Sequence, residues 1–138
     1  MELTISDGVD AAVAKFGQEP PASEIITKWD EVQETYGGDS LEAIIERAGS
    51  DLDGMSPTSL VRVFELLNAG AKDDSVRSCL ERELSMATVA AQSKEFLEGV
   101  RAMVVDKDKN PQWSPATVAE VDADEVRRVV ERKIELPF

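Results

Sequence analysis

The chain has 138 residues, 42% of them hydrophobic and only 5% aromatic, which suits a single domain with a mostly aliphatic core. Its net charge of −13 opposes direct binding to nucleic acid or to an anionic membrane surface, because each phosphate contact needs a Lys or Arg. The lack of histidine excludes Ser-His-Asp and Cys-His catalysis, and the single cysteine excludes an internal disulfide.

The N-terminal part of the sequence predicts three amphipathic helices. They cover residues 7–16, 23–36 and 39–48, and each ends at glycine or proline. The third begins at Asp39, with Glu42 three residues later, in a pattern that resembles a capping box. The expected inward face of the second is Ile25, Trp29, Val32 and Tyr36. No run approaches the ~20 apolar residues that span a bilayer, and residues 1–17 resemble neither a signal peptide nor a transit peptide.

Two longer helices are predicted next. The first begins with Ser56 as its cap and Pro57 at its first position, ends at Gly70, and has the expected inward residues Leu60, Val63, Phe64 and Leu67. The second covers residues 73–92 from Asp73, with the expected inward residues Val76, Cys79, Leu80, Leu84, Ala87 and Ala91. Cys79 lies on this stripe, so we expect a buried and inert thiol.

Residues 94–115 combine a helix with an abrupt charged turn. Ser93 caps the helix, whose expected inward residues are Phe96, Leu97, Val100, Met103 and Val104. Gly99 within it costs about 1 kcal/mol relative to alanine, which a close helix crossing would offset. The charged turn covers residues 106–110, and Pro111, Trp113 and Pro115 follow. A last helix begins at Asp122 or Asp124, with Val126, Val129 and Val130 inward.

No pair of alternating strands is found, so the fold class is all-α with six to seven helices. We expect one helical domain over residues 1–138, with a first group of helices over 7–48 and a second over 56–133. The second group contains residues 94–115.

The sequence carries no complete active site of its own. Asp51, Asp53 and Gly54 resemble part of a calcium loop, but a bidentate Glu near its end is missing, so no metal is predicted. Glu98 can pair with Arg101 three residues later, which favours a structural role. Lys107 and Lys109 could hold the phosphates of a nucleotide-like ligand, and the alternative is a solvated turn, since two aspartates alternate with them.

Several motifs in the second half resemble one family. Residues 96–102 (FLEGVRA) and 105–115 (VDKDKNPQWSP) resemble the C-terminal signature of the 3-hydroxyisobutyryl-CoA hydrolases, members of the crotonase (enoyl-CoA hydratase/isomerase) superfamily. Residues 56–60, 79–83, 25–29 and 38–45 resemble the helices that precede this signature, so the resemblance covers residues 9–130. The chain departs from the family's pattern in two places. The connection at residues 48–55 is shorter than in the family, and an aromatic–arginine pair usual near Leu84 is absent.

The resemblance implies a chain without the family's catalytic core, which supplies the oxyanion hole and the acidic catalytic residues. We therefore expect no catalytic residue here and no activity of the isolated chain. Phe96, Val100, Met103 and Trp113 would pack against neighbouring helices or against a separate core. Lys107 and Lys109 would contact the phosphates of a CoA thioester, and only when that core is present.

Three interpretations remain open at this point. The chain is the helical part of a split or truncated hydrolase, or a non-catalytic subunit of a large assembly such as the small subunit of a mitochondrial ribosome, or an independent interaction module. The first two imply a protein partner, and a monomer without a partner would favour the third. The charge and the lack of a long apolar run predict no direct contact with nucleic acid and no membrane. The resemblance implies the mitochondrial matrix in a eukaryote and the cytoplasm otherwise.

Overall fold

The structure is a computed structural model that describes residues 23–132 and 134–136, together with residues 11, 14 and 17. It confirms the all-α prediction, since the described residues form seven α-helices and no strand. The helices are α1 (Glu24–Thr27), α2 (Trp29–Tyr36), α3 (Leu41–Ala48), α4 (Pro57–Gly70), α5 (Val76–Ala91), α6 (Lys94–Val100) and α7 (Ala123–Glu131). A π-helical turn, Arg101–Val105, follows α6, and 3₁₀ turns lie at Gly49–Leu52 and Val118–Glu120.

The chain forms two compact units, Met1–Gly37 and Gly38–Phe138. In the first unit, the predicted helix over residues 23–36 is interrupted at Lys28, whose φ of −106° and ψ of 17° separate α1 from α2. The expected inward residues Ile25, Trp29 and Tyr36 are exposed, because no other element in the described part of this unit covers them. Of the predicted helix over residues 7–16, only Ala11 and Ala14 are described, and both are helical.

The second unit has one apolar core, in which α4, α5 and α7 meet. Its buried members are Leu41, Val61, Met86, Val126 and Val130. Val126 and Val130 confirm the inward face predicted for the last helix, and Val129 packs beside them half-buried. No helix among the described residues is long and apolar enough to cross a membrane.

Side-chain caps fix the starts of these helices. Ser56 and Ser93 accept hydrogen bonds from the backbone N–H groups three residues later, as predicted. Asp122 accepts the same bond from the N–H of Glu125 and caps α7. Of the two starts predicted for the last helix, Asp122 is thus the one in the structure. The cap of α3 is Ser40 and not Asp39, because the Ser40 hydroxyl is the group that reaches the N–H of Ala43.

The predicted inward face of α5 is wrong. The helix begins at Val76 with Ser75 as its cap, and it buries Arg82, Ser85 and Met86. Arg82 is neutralised by an ion pair with Asp73, and the Ser85 hydroxyl donates to the backbone of Glu81. Because both polar groups have partners, they can be buried, and the apolar stripe is turned outward. Val76, Leu80 and Leu84 are therefore exposed, and Cys79 is only half-buried.

The stripe predicted for α4 is partly confirmed, because Leu60 and Phe64 pack against the core half-buried. Val61 is buried, whereas Val63 and Leu67, both predicted inward, are exposed.

In α6 and the π-helical turn after it, Glu95 and Ala102 are buried and Val100 is half-buried. The other residues predicted inward, Phe96, Leu97, Met103 and Val104, are exposed. The apolar stripe of α5, most of that of α6 and part of that of α4 thus point away from the core of this unit.

This arrangement of α5 predicts losses of stability of very different size for two apolar residues. We expect Met86→Ala to lower the free energy of unfolding by about 2–5 kcal/mol, because it opens a cavity in the core at a side chain that is 4% exposed. Leu80→Ala, at a side chain that is 46% exposed, should cost no more than about 0.5 kcal/mol. Urea unfolding followed by circular dichroism measures both, and equal losses would contradict the outward stripe.

Candidate functional site

An open apolar groove lies in the second unit beside α6. Its volume is about 280 Å³, and its lining includes all four residues predicted to form an interface, Phe96, Val100, Met103 and Trp113. Phe96 is 51% and Met103 58% exposed, while Val100 and Trp113 are half-buried. Large apolar side chains that converge on an open groove are typical of a protein-binding surface. We call this hollow the docking groove.

Trp113 forms one wall of the docking groove by packing on Gly99. A Cβ atom at position 99 would stand 3.4 Å from the tip of the indole ring, so the glycine leaves just enough room for the ring. The close approach expected at Gly99 is thus made by Trp113 and not by a second helix. The indole Nε1–H donates to the backbone oxygen of Gly54 at 2.9 Å, which ties this wall to the connection before α4.

The guanidinium of Arg101 organises the turn that carries Trp113. Its Nε and Nη2 donate to the two carboxylate oxygens of Glu98 at 2.9 and 2.7 Å, which confirms the predicted pair. Its Nη1 donates to Asp106 at 2.7 Å and to Asp108 at 2.6 Å. The backbone oxygen of Asn110 accepts a further bond at 3.2 Å. These bonds use all five N–H donors of one arginine to close the turn.

Glu98 also reaches past the turn. Its Oε1 accepts the backbone N–H of Gln112 at 2.7 Å, next to Trp113. The two bonds from Arg101 and this backbone bond favour the ionised form, and they lower the pKa of Glu98 to about 2. Arg101 likewise holds the pKa of Asp108 below its ordinary value. Glu98 and Asp108 are therefore structural groups that stay charged at neutral pH.

Lys107 and Lys109 lie at the exposed tip of the turn. Both have a positive φ, 57° and 54°, a conformation that costs an L-residue about 1 kcal/mol or more. The turn is held by the Lys109 N–H, which donates to the backbone oxygen of Ala102 at 3.1 Å. Neither ammonium group makes an ion pair within the described residues, because Asp106 and Asp108 face Arg101. The two lysines do not line the docking groove.

Sequence reasoning missed a buried carboxylate in the lining of the docking groove. Glu95 is buried, and its Oε1 accepts a bond from the Ser56 hydroxyl at 2.9 Å. That hydroxyl also caps α4, so Glu95 stands between the positive N-terminal ends of α4 and α6. The serines that cap both helices were visible in the sequence, but nothing in it placed the two helix starts together.

Cys79 is unsuited to act as a nucleophile. Its thiol donates to the Glu83 carboxylate at 3.4 Å, and that bond together with the nearby negative charge raises the pKa of Cys79 above its ordinary value. The thiol form is therefore favoured at neutral pH. The predicted inertness follows from this pairing rather than from full burial.

The Arg101 network predicts how Glu98 titrates. NMR of the Glu98 carboxyl should give a pKa of about 2, and Arg101→Gln should raise it toward the ordinary 4.5. Because the folded-state pKa is depressed, the stabilisation by Glu98 is complete above pH 4.5 and is lost as the pH falls through 2. Arg128→Gln, on the exposed side of α7, should leave the pKa of Glu98 unchanged. A wild-type value near 4.5 would contradict the network.

Comparison with known proteins gives the family. A family model described as enoyl-CoA hydratase/isomerase matches residues 2–130. The mitochondrial 3-hydroxyisobutyryl-CoA hydrolase of Dictyostelium discoideum is 45% identical over 71 residues, which are 51% of this chain and 19% of the relative. The human mitochondrial enzyme of the same name is 28% identical over 109 residues, 70% of this chain and 28% of the relative.

A plant relative covers more of the chain. The 3-hydroxyisobutyryl-CoA hydrolase-like protein 5 of Arabidopsis thaliana is 27% identical over 144 residues, 90% of this chain and 37% of the relative. The chain thus spans between a fifth and somewhat over a third of the length of these relatives. No solved structure matches it. The chain belongs to the enoyl-CoA hydratase/isomerase (crotonase) family, as the motifs around Trp113 predicted.

Proposed function

We propose that this chain is the helical part of a 3-hydroxyisobutyryl-CoA hydrolase-like thioester hydrolase and acts with a separate crotonase-type core. By itself it does not hydrolyse a thioester. Its work is to dock on the core through the docking groove and to complete the enzyme. The mitochondrial matrix is the proposed location in a eukaryote, since relatives carry the word mitochondrial in their names.

The observation that carries this proposal is the outward direction of the apolar stripes. Phe96, Met103 and Val63 are each more than half exposed, although each belongs to the apolar stripe of its helix. A partner that covers them gains about 25 cal/mol for every Å² of apolar surface removed from water. The chain covers at most 37% of the length of the relatives compared, so most of such an enzyme lies outside these 138 residues.

The carboxylates near the docking groove support a structural role rather than acid–base chemistry. Glu95 is bound by Ser56, and Glu98 is bound by Arg101 and by the backbone of Gln112. A general acid or base must be free to exchange a proton with its substrate at neutral pH. With its pKa lowered to about 2, Glu98 carries no proton at neutral pH and is too weak a base for that role.

Lys107 and Lys109 are the groups that we propose for contact with a CoA thioester. The alternating aspartates were the argument for a plain solvated turn, and the structure directs both aspartates to Arg101. The two ammonium groups stay available as point charges for the phosphates of CoA. The CoA itself would be held mainly by the core, so this contact forms only in the assembled enzyme.

Reconstitution tests the proposal. The core fragment is defined as the Dictyostelium relative from which the region aligned with this chain has been removed, and it is co-expressed with the chain. We expect a stable complex that hydrolyses 3-hydroxyisobutyryl-CoA, and no hydrolysis by the chain alone. A Phe96→Asp, Met103→Asp double variant should abolish the complex, whereas Val76→Asp, at an exposed residue outside the docking groove, should not. Co-sedimentation with ribosomes without a complex would favour the assembly subunit instead.

Charge reversal tests the lysines in the same complex. Lys107→Glu with Lys109→Glu should raise the KM for the CoA thioester by roughly tenfold, because two exposed ion pairs are each worth up to about 1 kcal/mol. Raising the salt concentration should reduce the difference. Lys72→Glu, at an exposed lysine after α4, is the matched control. An unchanged KM in the double variant would contradict contact with CoA.

A further inference from the structure

Arg62 of α4 lies where open hollows of the second unit meet. It lines the docking groove, and it also lines a neighbouring hollow of about 330 Å³ between α4 and α5. The two hollows share Ser59, Arg62 and Ala90, so they form one continuous surface across α4, α5 and α6. We call this surface the open face. Val63, on the open face next to Arg62, is 54% exposed.

Arg62 differs from the other shielded arginines of this unit. The guanidinium of Arg82 pairs with Asp73, and that of Arg101 is used completely within its turn. Arg62 is half-buried, and it makes no ion pair or hydrogen bond with any described side chain. Among the carboxylates in the two hollows, Glu83 is bound by Cys79 and Glu95 by Ser56. Arg62 also lines a third hollow with Asp122 and Glu125; Asp122 caps α7, and neither carboxylate bonds to Arg62.

Covering the open face would remove water from this guanidinium. An arginine that is buried without an acceptor costs several kcal/mol, which would cancel much of the gain from the apolar surface around it. A carboxylate in the covering surface removes that cost, since it can accept two parallel N–H bonds from the guanidinium. A partner that meets only the apolar part of the face would be rejected by the unpaired charge.

We propose that Arg62 pairs with a carboxylate that the crotonase-type core presents from an otherwise apolar surface, and that this pair fixes the register of docking. The inference rests on the proposed function, and it names the chemistry of the partner: an apolar surface with one acidic side chain at its centre. The apolar side chains around Arg62 supply most of the buried area, and the ion pair supplies specificity.

The test uses the full chain and the co-expressed core fragment defined above. Affinities are measured by calorimetry for the wild type, Arg62→Met, Arg62→Glu and the control Arg128→Met. Arg62→Met should weaken binding by roughly 30-fold or more, because it leaves a buried carboxylate unpaired. Arg62→Glu should weaken it further, and Arg128→Met should change it by less than about twofold. The melting temperature of each isolated variant is recorded as well.

Each result decides something. Weaker binding by Arg62→Met with an unchanged melting temperature of the isolated chain supports the pair. Binding equal to wild type overturns the role of Arg62 and leaves the proposed function standing. A lower melting temperature of isolated Arg62→Met overturns the inference too, since it shows that the guanidinium serves the chain itself. Failure of the wild type to bind overturns the proposed function and, with it, the named partner.

Discussion

The shape of the docking groove depends on the five hydrogen bonds of one guanidinium. Arg101 joins Glu98 to Asp106 and Asp108, and so closes the turn that follows the π-helical segment. The closed turn brings Gln112 back to Glu98, and Trp113 then reaches Gly99 and the oxygen of Gly54. Without this turn the indole would have no fixed position, and the docking groove would lose a wall.

A second constraint acts on α5. The buried pair of Arg82 and Asp73 turns the polar side of the helix inward, and the apolar stripe outward follows from it. Pairing makes this burial tolerable, although a buried ion pair seldom adds stability by itself. Val63 and Leu67 of α4 are exposed in the same unit, as are Phe96 and Leu97 of α6. These exposed apolar residues are the physical basis of the proposed docking.

Parts of the site were predictable because they depend on short-range patterns. The pair of Glu98 and Arg101 is three residues apart on a helix, and the caps Ser56 and Ser93 directly precede their helices. Asp106 and Asp108 were not predicted to meet Arg101, since the chain reverses between them. The sequence did not single out Arg62. Its place in the proposed docking depends on the lack of an ion pair with any described side chain, which only the tertiary contacts show.

By itself the sequence determined most of the helices, the caps of α4 and α6, the inward face of α7 and the family. The helices and the inward face follow from the spacing of apolar residues, and the caps follow from local hydrogen bonding. The family follows from the signature at residues 96–115 and the order of the segments before it. Only the tertiary structure decided which side of α5 and α6 is inward and which residues of the α4 stripe are covered. Covering an apolar stripe is favourable whether the cover is the core of the same chain or the surface of another. The spacing of apolar residues along a helix therefore does not distinguish the two cases.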